Sequence, residues 1–353
     1  MNKSNCNVVK QRIVYHSKKI GFIAFIILFF FSACSVKKRV YRSGYYISWY
    51  GLANDKSKKT DKQFLNYSWN AYDALSIKPT QETIINVDDA SRIFCTEGTI
   101  IDIPENAFEY DNGVNLKCTK VNVYVWEYYS LADIIAAGLT TTSNRKMLFS
   151  DGMVYIEARC LGERLKLKSD KQIVVQMPSA KPDSKMQLFA GNFKNGIIDW
   201  KVKGNPEIKG LAVQESTELV ENEDVVYSES EYASGYLMKL SSLGWINCDR
   251  FYEIEKKTNL IVKVPSVKNT FVALVFKEMK SIMPGYCFSN NTIDFNNLPD
   301  GQQVTLVAYS IDAKNKTTKA CTYDLLLGET KEIEIKMNEI SQDELKSLLT
   351  SFN

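Results

Sequence analysis

From Phe94 onward the chain repeats one local pattern, an apolar residue followed by a polar one. Leu165 and Leu167 alternate with Lys166 and Lys168, and Ile333, Ile335 and Met337 alternate with Glu332, Glu334 and Lys336. A strand sends successive side chains to opposite faces, so a period of two predicts sheets with one buried face. The pairs and triplets Ile101/Ile103, Val121/Val123/Val125, Ile173/Val175/Met177 and Leu260/Val262/Val264 continue it. TFVALVF (270–276) and VTLVAY (304–309) are apolar on both faces, as strands in a sandwich core are. Helical spacing is confined to two short places. In SLADIIAAG (130–138), Ser130 can cap, Asp133 sits in the first turn, and Leu131, Ile134 and Ile135 form one face before Gly138. In SQDELKSLLTSF (341–352), Ser341 and Glu344 form a capping box ahead of Leu345, Leu348 and Leu349. The expected fold class is mainly β: two antiparallel β-sandwich domains in tandem, with a short C-terminal helix.

The 353 residues divide accordingly. Residues 1–33 read as a signal peptide, with Lys3, Lys10, Arg12, Lys18 and Lys19 ahead of an uncharged run from Ile20 to Phe31. That run falls short of the roughly 20 apolar residues that span a bilayer. Removing its five cations from the 44 basic residues leaves 39 against 41 acidic ones, so the basic balance belongs to the leader. No nucleic-acid partner is expected. Residues 34–62 form a tether, 63–203 a first sandwich, 204–235 an acidic connector, 236–338 a second sandwich, and 339–353 a C-terminal helix.

The only histidine, His16, lies in the leader, so the mature chain lacks imidazole. Ser-His-Asp and Cys-His catalysis and histidine-ligated zinc are thereby removed. Six cysteines follow Cys34, at 95, 118, 160, 248, 287 and 321, none spaced as CxxC. In an exported chain they can pair in 15 ways, among which the sequence does not choose. Cys160 shares parity with Val154, Ile156 and Ala158, and Cys321 with Tyr323 and Leu325, so both read as small residues on buried strand faces. No nucleophile elbow, P-loop or dinucleotide fingerprint occurs. No catalytic residue, metal or cofactor is expected.

Four stretches carry resemblances. FSACS (31–35), at the end of the apolar run, resembles the lipobox of bacterial lipoproteins, which implies lipidation of Cys34 and a membrane held through that anchor. Lys37, Lys38, Arg39 and Arg42 follow it. Surface-exported lipoproteins of the Bacteroidota carry acids there, so the resemblance implies an outer-membrane protein facing the periplasm. EGTIIDIPENAF (97–108), with GMVYIEA (152–158), resembles the ZU-five type domain of ankyrins, netrin receptors and uncharacterised Bacteroidota lipoproteins. The self-cleavage of some relatives needs a His-Phe-Ser site that is absent here. IDFNNLPDGQQVTLVAY (293–309) resembles the transthyretin-like sandwiches of the carboxypeptidase-regulatory type, and LGWINCDRF (243–251) resembles a segment of the same lipoprotein group.

That last stretch admits three readings. Cys248 as a nucleophile has no histidine, and Asp249 points to the opposite strand face. Trp245 and Arg250 could stack on a sugar or clamp a carboxylate. As architecture, Trp245, Asn247, Asp249 and Phe251 share one face, and Asp249 or Arg250 fixes a domain junction. The expectation is a non-catalytic interaction or scaffold protein of the envelope with a protein partner. The alternative is a carbohydrate-binding or adhesive lipoprotein using exposed Trp126, Trp200 or Trp245 on a glycan.

Overall fold

A computed structural model describes residues 81–352, except 115, 195–196, 212–232, 267–269, 290 and 313–316. The leader, the tether and Cys34 lie outside the described residues. The chain enters through β1 (Gln81–Asn86), β2 (Ser91–Phe94), β3 (Ile100–Ile103), β4 (Phe108–Tyr110) and β5 (Lys120–Tyr128). Helix α1 (Leu131–Ala136) leads through β6 (Thr142–Ser143) into the longest strand, β7 (Lys146–Cys160). Then come β8 (Glu163–Leu167), β9 (Ile173–Pro178), β10 (Gln187–Lys194), β11 (Ile197–Gly204), β12 (Glu207–Leu211), β13 (Ala233–Leu240) and β14 (Gly244–Phe251).

These strands form two sheets. One of nine strands runs β1-β5-β7-β14-β10-β11 with β4, β6 and β8 alongside, and one of five runs β12-β13-β9-β3-β2. The parity seen in the sequence sets what faces inward. Val121, Val123 and Val125, with Val154, Ile156, Ala158, Ile246 and Cys248, meet Ile101, Ile103, Ile173, Val175, Met177, Tyr236 and Met238.

The second body holds β15 (Lys257–Lys263), β16 (Thr270–Phe276), β17 (Ser281–Pro284), β18 (Tyr286–Ser289), β19 (Thr292–Pro299), β20 (Gln303–Asp312), β21 (Thr317–Leu326), β22 (Glu332–Glu334) and β23 (Asn338–Ile340). Its sheets run β18-β19-β15-β22 and β17-β16-β20-β21-β23. Leu260, Val262, Ile293 and Phe295 of the first pack on Val272, Leu274, Leu306 and Ala308 of the second. Helix α2 (Gln342–Thr350) closes the chain with both halves of its capping box formed. The fold is mainly β with antiparallel sheets, as expected; β15 with β22 is a parallel pair.

Two findings revise the expected organisation. The first body keeps β13 and β14, which pair with β9 and β7, so it extends to Phe251 rather than ending near 203. Part of the expected connector is strand β12, hydrogen-bonded to β13. The LPDG turn (298–301) carries the chain across the sandwich, from β19 in one sheet to β20 in the other.

All described residues lie in one compact unit, and α1 explains the joint between its two bodies. Ser130 caps it by accepting from Asp133 N–H. It ends in a Schellman motif: Gly138 N–H donates to Ile135 O (3.0 Å) and Leu139 N–H to Ile134 O (2.9 Å). Gly138 takes φ 64° there. Residues 131–137 and 139–143 are all buried, because α1 packs against β5 of the first body and β17 of the second. Thr141 N–H donates to Ile282 O (2.9 Å). Ile282 N–H donates to Thr141 Oγ1 (2.8 Å), and Tyr309 Oη donates to Ile135 O (2.9 Å). On the other side, Trp200 Nε1 donates to Thr140 O (2.6 Å). The outer face of β16 and β20 is buried too, with Phe271 stacked on Tyr309, and Tyr309 meets this segment at Ile135.

Candidate functional site

Strand β14 sits in the middle of the nine-stranded sheet, between β7 and β10. Alternation sends Ile246 and Cys248 into the first core and Trp245, Asn247 and Asp249 to the opposite face. Burial pushes the Cys248 thiol well above its ordinary value, with Asp249 and Asp151 adding to it, so it is an inert core residue. Opposite β14, strand β7 carries a bulge: Asn247 pairs with Met153 and Asp249 with Ser150. Gly152 takes φ 131° there, and a Cβ would fall 2.3 Å from the Tyr129 ring, so only glycine fits.

The bulge turns Asp151 toward the sandwich end, where its Oδ2 accepts from Tyr236 Oη (2.6 Å) and Ser179 Oγ (2.9 Å). Tyr236 Oη in turn accepts from Asp183 N–H (2.8 Å). Arg250 Nε lies 2.9 Å from Asp183 Oδ2, yet no hydrogen bond aligns with that N–H. We read the pair as an ion contact. Arg250 also stacks over Phe149 at 4.4 Å, and Phe149 packs against both cores. Arg250 therefore fixes the 179–186 loop and touches the edge of the joint.

Asp249 is fully buried. Its Oδ2 accepts from Asn247 Nδ2 (2.6 Å), while Oδ1 has no hydrogen-bond partner among the described residues. Burial holds its carboxyl well above the usual range, and Asp151 raises it further; Ser150 and Asn247 act in the opposite sense. Trp245 packs among Tyr155 (4.8 Å), Tyr128 (5.6 Å) and Trp200 (6.3 Å).

The structure thus separates the three residues singled out in the sequence. Trp245 joins an aromatic cluster, Asp249 a buried polar pair, and Arg250 a loop anchor. The joint itself is made by residues 135–147 with β17, which no sequence signal marked. The exposed tryptophan platform is corrected: Trp126, Trp200 and Trp245 are 7%, 0% and 8% exposed, because Trp200 is held by Thr140 O while Trp126 and Trp245 both pack on Tyr155. Cys160 is buried as its parity requires, but it is also bonded to Cys118; pairing across 42 residues leaves no trace in spacing.

A second region was not anticipated. Beside that disulfide, Ile84, Tyr124 and Leu161 flank a groove of about 580 Å³ whose charged lining is Lys117, Lys120 and Arg159. Asn122 and Tyr124 donate to Glu82 outside it, and Arg159 and Arg164 both pair with buried Glu157. No protein-family model matches this chain, and no curated protein matches it.

Proposed function

We propose that this chain is a lipid-anchored protein of the bacterial cell envelope that works as a non-catalytic scaffold for a protein partner. The observation that carries the reading is the Cys118–Cys160 disulfide. Disulfides persist in oxidising compartments outside the cytosol, where the leader and the lipobox-like Cys34 would deliver the chain. The basic tether and the resemblances to ZU-five-like and carboxypeptidase-regulatory-like sandwiches of Bacteroidota lipoproteins support an outer-membrane position facing the periplasm. The scaffold part is supported by the engagement of residues 243–251 in packing. Trp245, Cys248 and Asp249 are buried, and Arg250 pairs with Asp183 and stacks on Phe149.

Two experiments test this. Cys34→Ala should release the protein from the membrane fraction and abolish lipid labelling; a variant that stays lipidated sinks the anchor. Crosslinking in intact envelopes, read by mass spectrometry, should return one stoichiometric protein partner. Recovery of the chain with glycan and no protein would move the reading to the carbohydrate-binding alternative.

A further inference from the structure

One residue at the groove breaks two rules of local structure. The β7–β8 hairpin turns through Leu161 (φ 51°) and Gly162 (φ 86°). Two successive positive φ values make a type I′ turn, whose first position favours Asn, Asp or Gly. A bulky leucine there is strained. Leu161 is also 82% exposed, so no packing compensates. Strain and exposed apolar surface coinciding at one site point to function rather than fold.

Its surroundings narrow the ligand. Ile84, 61% exposed, also lines the groove. Val114, also exposed, lies in the loop tied to this end by the Cys118–Cys160 bond and by Tyr110 Oη, 3.1 Å from Cys160 Sγ. Lys117 and Lys120 line the groove as exposed cations; Arg159 lines it too but pairs with buried Glu157, and Glu82 is held at its edge by Asn122 and Tyr124. Glu163, exposed just past the turn, limits the net charge of the end as a whole, so the attraction is focused in the groove. Aliphatic tips beside cations match the boundary between phospholipid headgroups and acyl chains. An acidic glycan would neutralise the cations but leave Leu161 and Ile84 in water. A second copy would cover the leucine but bring like charges together.

We propose that this end of the first body is a second membrane contact, with phospholipid phosphates against Lys117 and Lys120 and with Leu161 entering the interfacial layer. The proposal rests on the lipid-anchored reading for the presence of a membrane. It adds that the folded body has a face turned toward that membrane.

The test uses the anchored full-length protein carrying Leu161→Trp, on vesicles of phosphatidylethanolamine and phosphatidylglycerol brominated in the upper acyl chain. The added tryptophan should be quenched by the brominated lipid, because it sits at the boundary between headgroups and acyl chains. Lys117→Glu with Lys120→Glu should reduce that quenching several-fold, as should replacing the phosphatidylglycerol with phosphatidylcholine. Flotation with the vesicles reports the anchor separately. Protein that floats while the tryptophan remains open to aqueous iodide overturns the contact and leaves the anchor standing. An emission change on inorganic phosphate alone, or one that follows protein concentration without lipid, also overturns it, in favour of a soluble anion or a second copy. Leu161→Asn supplies the control, because asparagine suits the turn: Tm should rise by about 2–4 °C. A fall in Tm would mean the leucine serves the fold, and the premise would fail.

Discussion

At the residue scale, the face of β14 turned away from the first core holds Asp249 where its charge is disfavoured. Its folded pKa is raised by burial, with Asp151 adding to it. The folded state therefore holds this proton to higher pH than the unfolded chain, whose carboxyl titrates near 3.9. Stability falls as pH rises from that value through the raised one, the sign opposite to that of a salt-bridged aspartate. Asp249→Asn keeps the oxygen that accepts from Asn247 and removes the charge. The difference in Tm between variant and wild type should grow as pH rises above about 4. A difference that stays flat in thermal melts would remove Asp249 as the source. The disulfide acts through the unfolded state instead. A bond across 42 residues is worth about 4 kcal/mol by chain entropy. Cys118→Ser should lose most of that in urea melts, while reductant should shift the wild type and leave the variant unchanged. The thiol of Cys95, pushed up to about 12 by burial and by Glu127, should stay unlabelled at neutral pH until the protein unfolds.

At the element scale, the outer face of β14, β10 and β11 depends on one glycine. Gly191 pairs with Trp200 across the β10–β11 hairpin. A Cβ on it would fall 2.5 to 2.8 Å from side-chain atoms of Ile198, Trp200 and Trp245. Both indoles are held, Trp200 by Thr140 O and Trp245 by its aromatic neighbours, so neither can move aside cheaply. Gly191→Ala should cost about 1–3 kcal/mol through overpacking, more than the propensity difference of a strand position would suggest. Denaturant unfolding measures it. Helix α1 shows the opposite case, in which local signals suffice: Ser130, Asp133 and Gly138 take the cap positions that their residue types favour.

At the scale of the whole molecule, the two bodies are joined by buried hydrogen bonds rather than by a loose linker. Thr141 exchanges bonds with Ile282 and lies 3.0 Å from Ser281 Oγ, in a region closed to water. Unfolding should therefore be a single calorimetric transition. Thr141→Val removes the acceptor of a buried N–H and should cost about 1–3 kcal/mol. Differential scanning calorimetry should show the transition broadening or separating as the joint weakens. Two well-separated transitions in the wild type would mean that the bodies are energetically independent.

Alternation along the chain determined which side chain of each strand faces inward, because strand geometry ties side-chain direction to sequence parity. Val121 to Val125, Ile173 to Met177 and Leu260 to Val264 were legible for that reason, as were the caps of both helices, which need only neighbours within a turn. Local pattern does not say which strands become neighbours. That depends on pairing and packing between distant segments, so β13 and β14 could be assigned to the wrong body. The Cys118–Cys160 bond, the Asp151–Tyr236–Asp183 network, the covered tryptophans and the groove beside Leu161 share that origin. Each brings together residues tens of positions apart, and only the tertiary structure decided them.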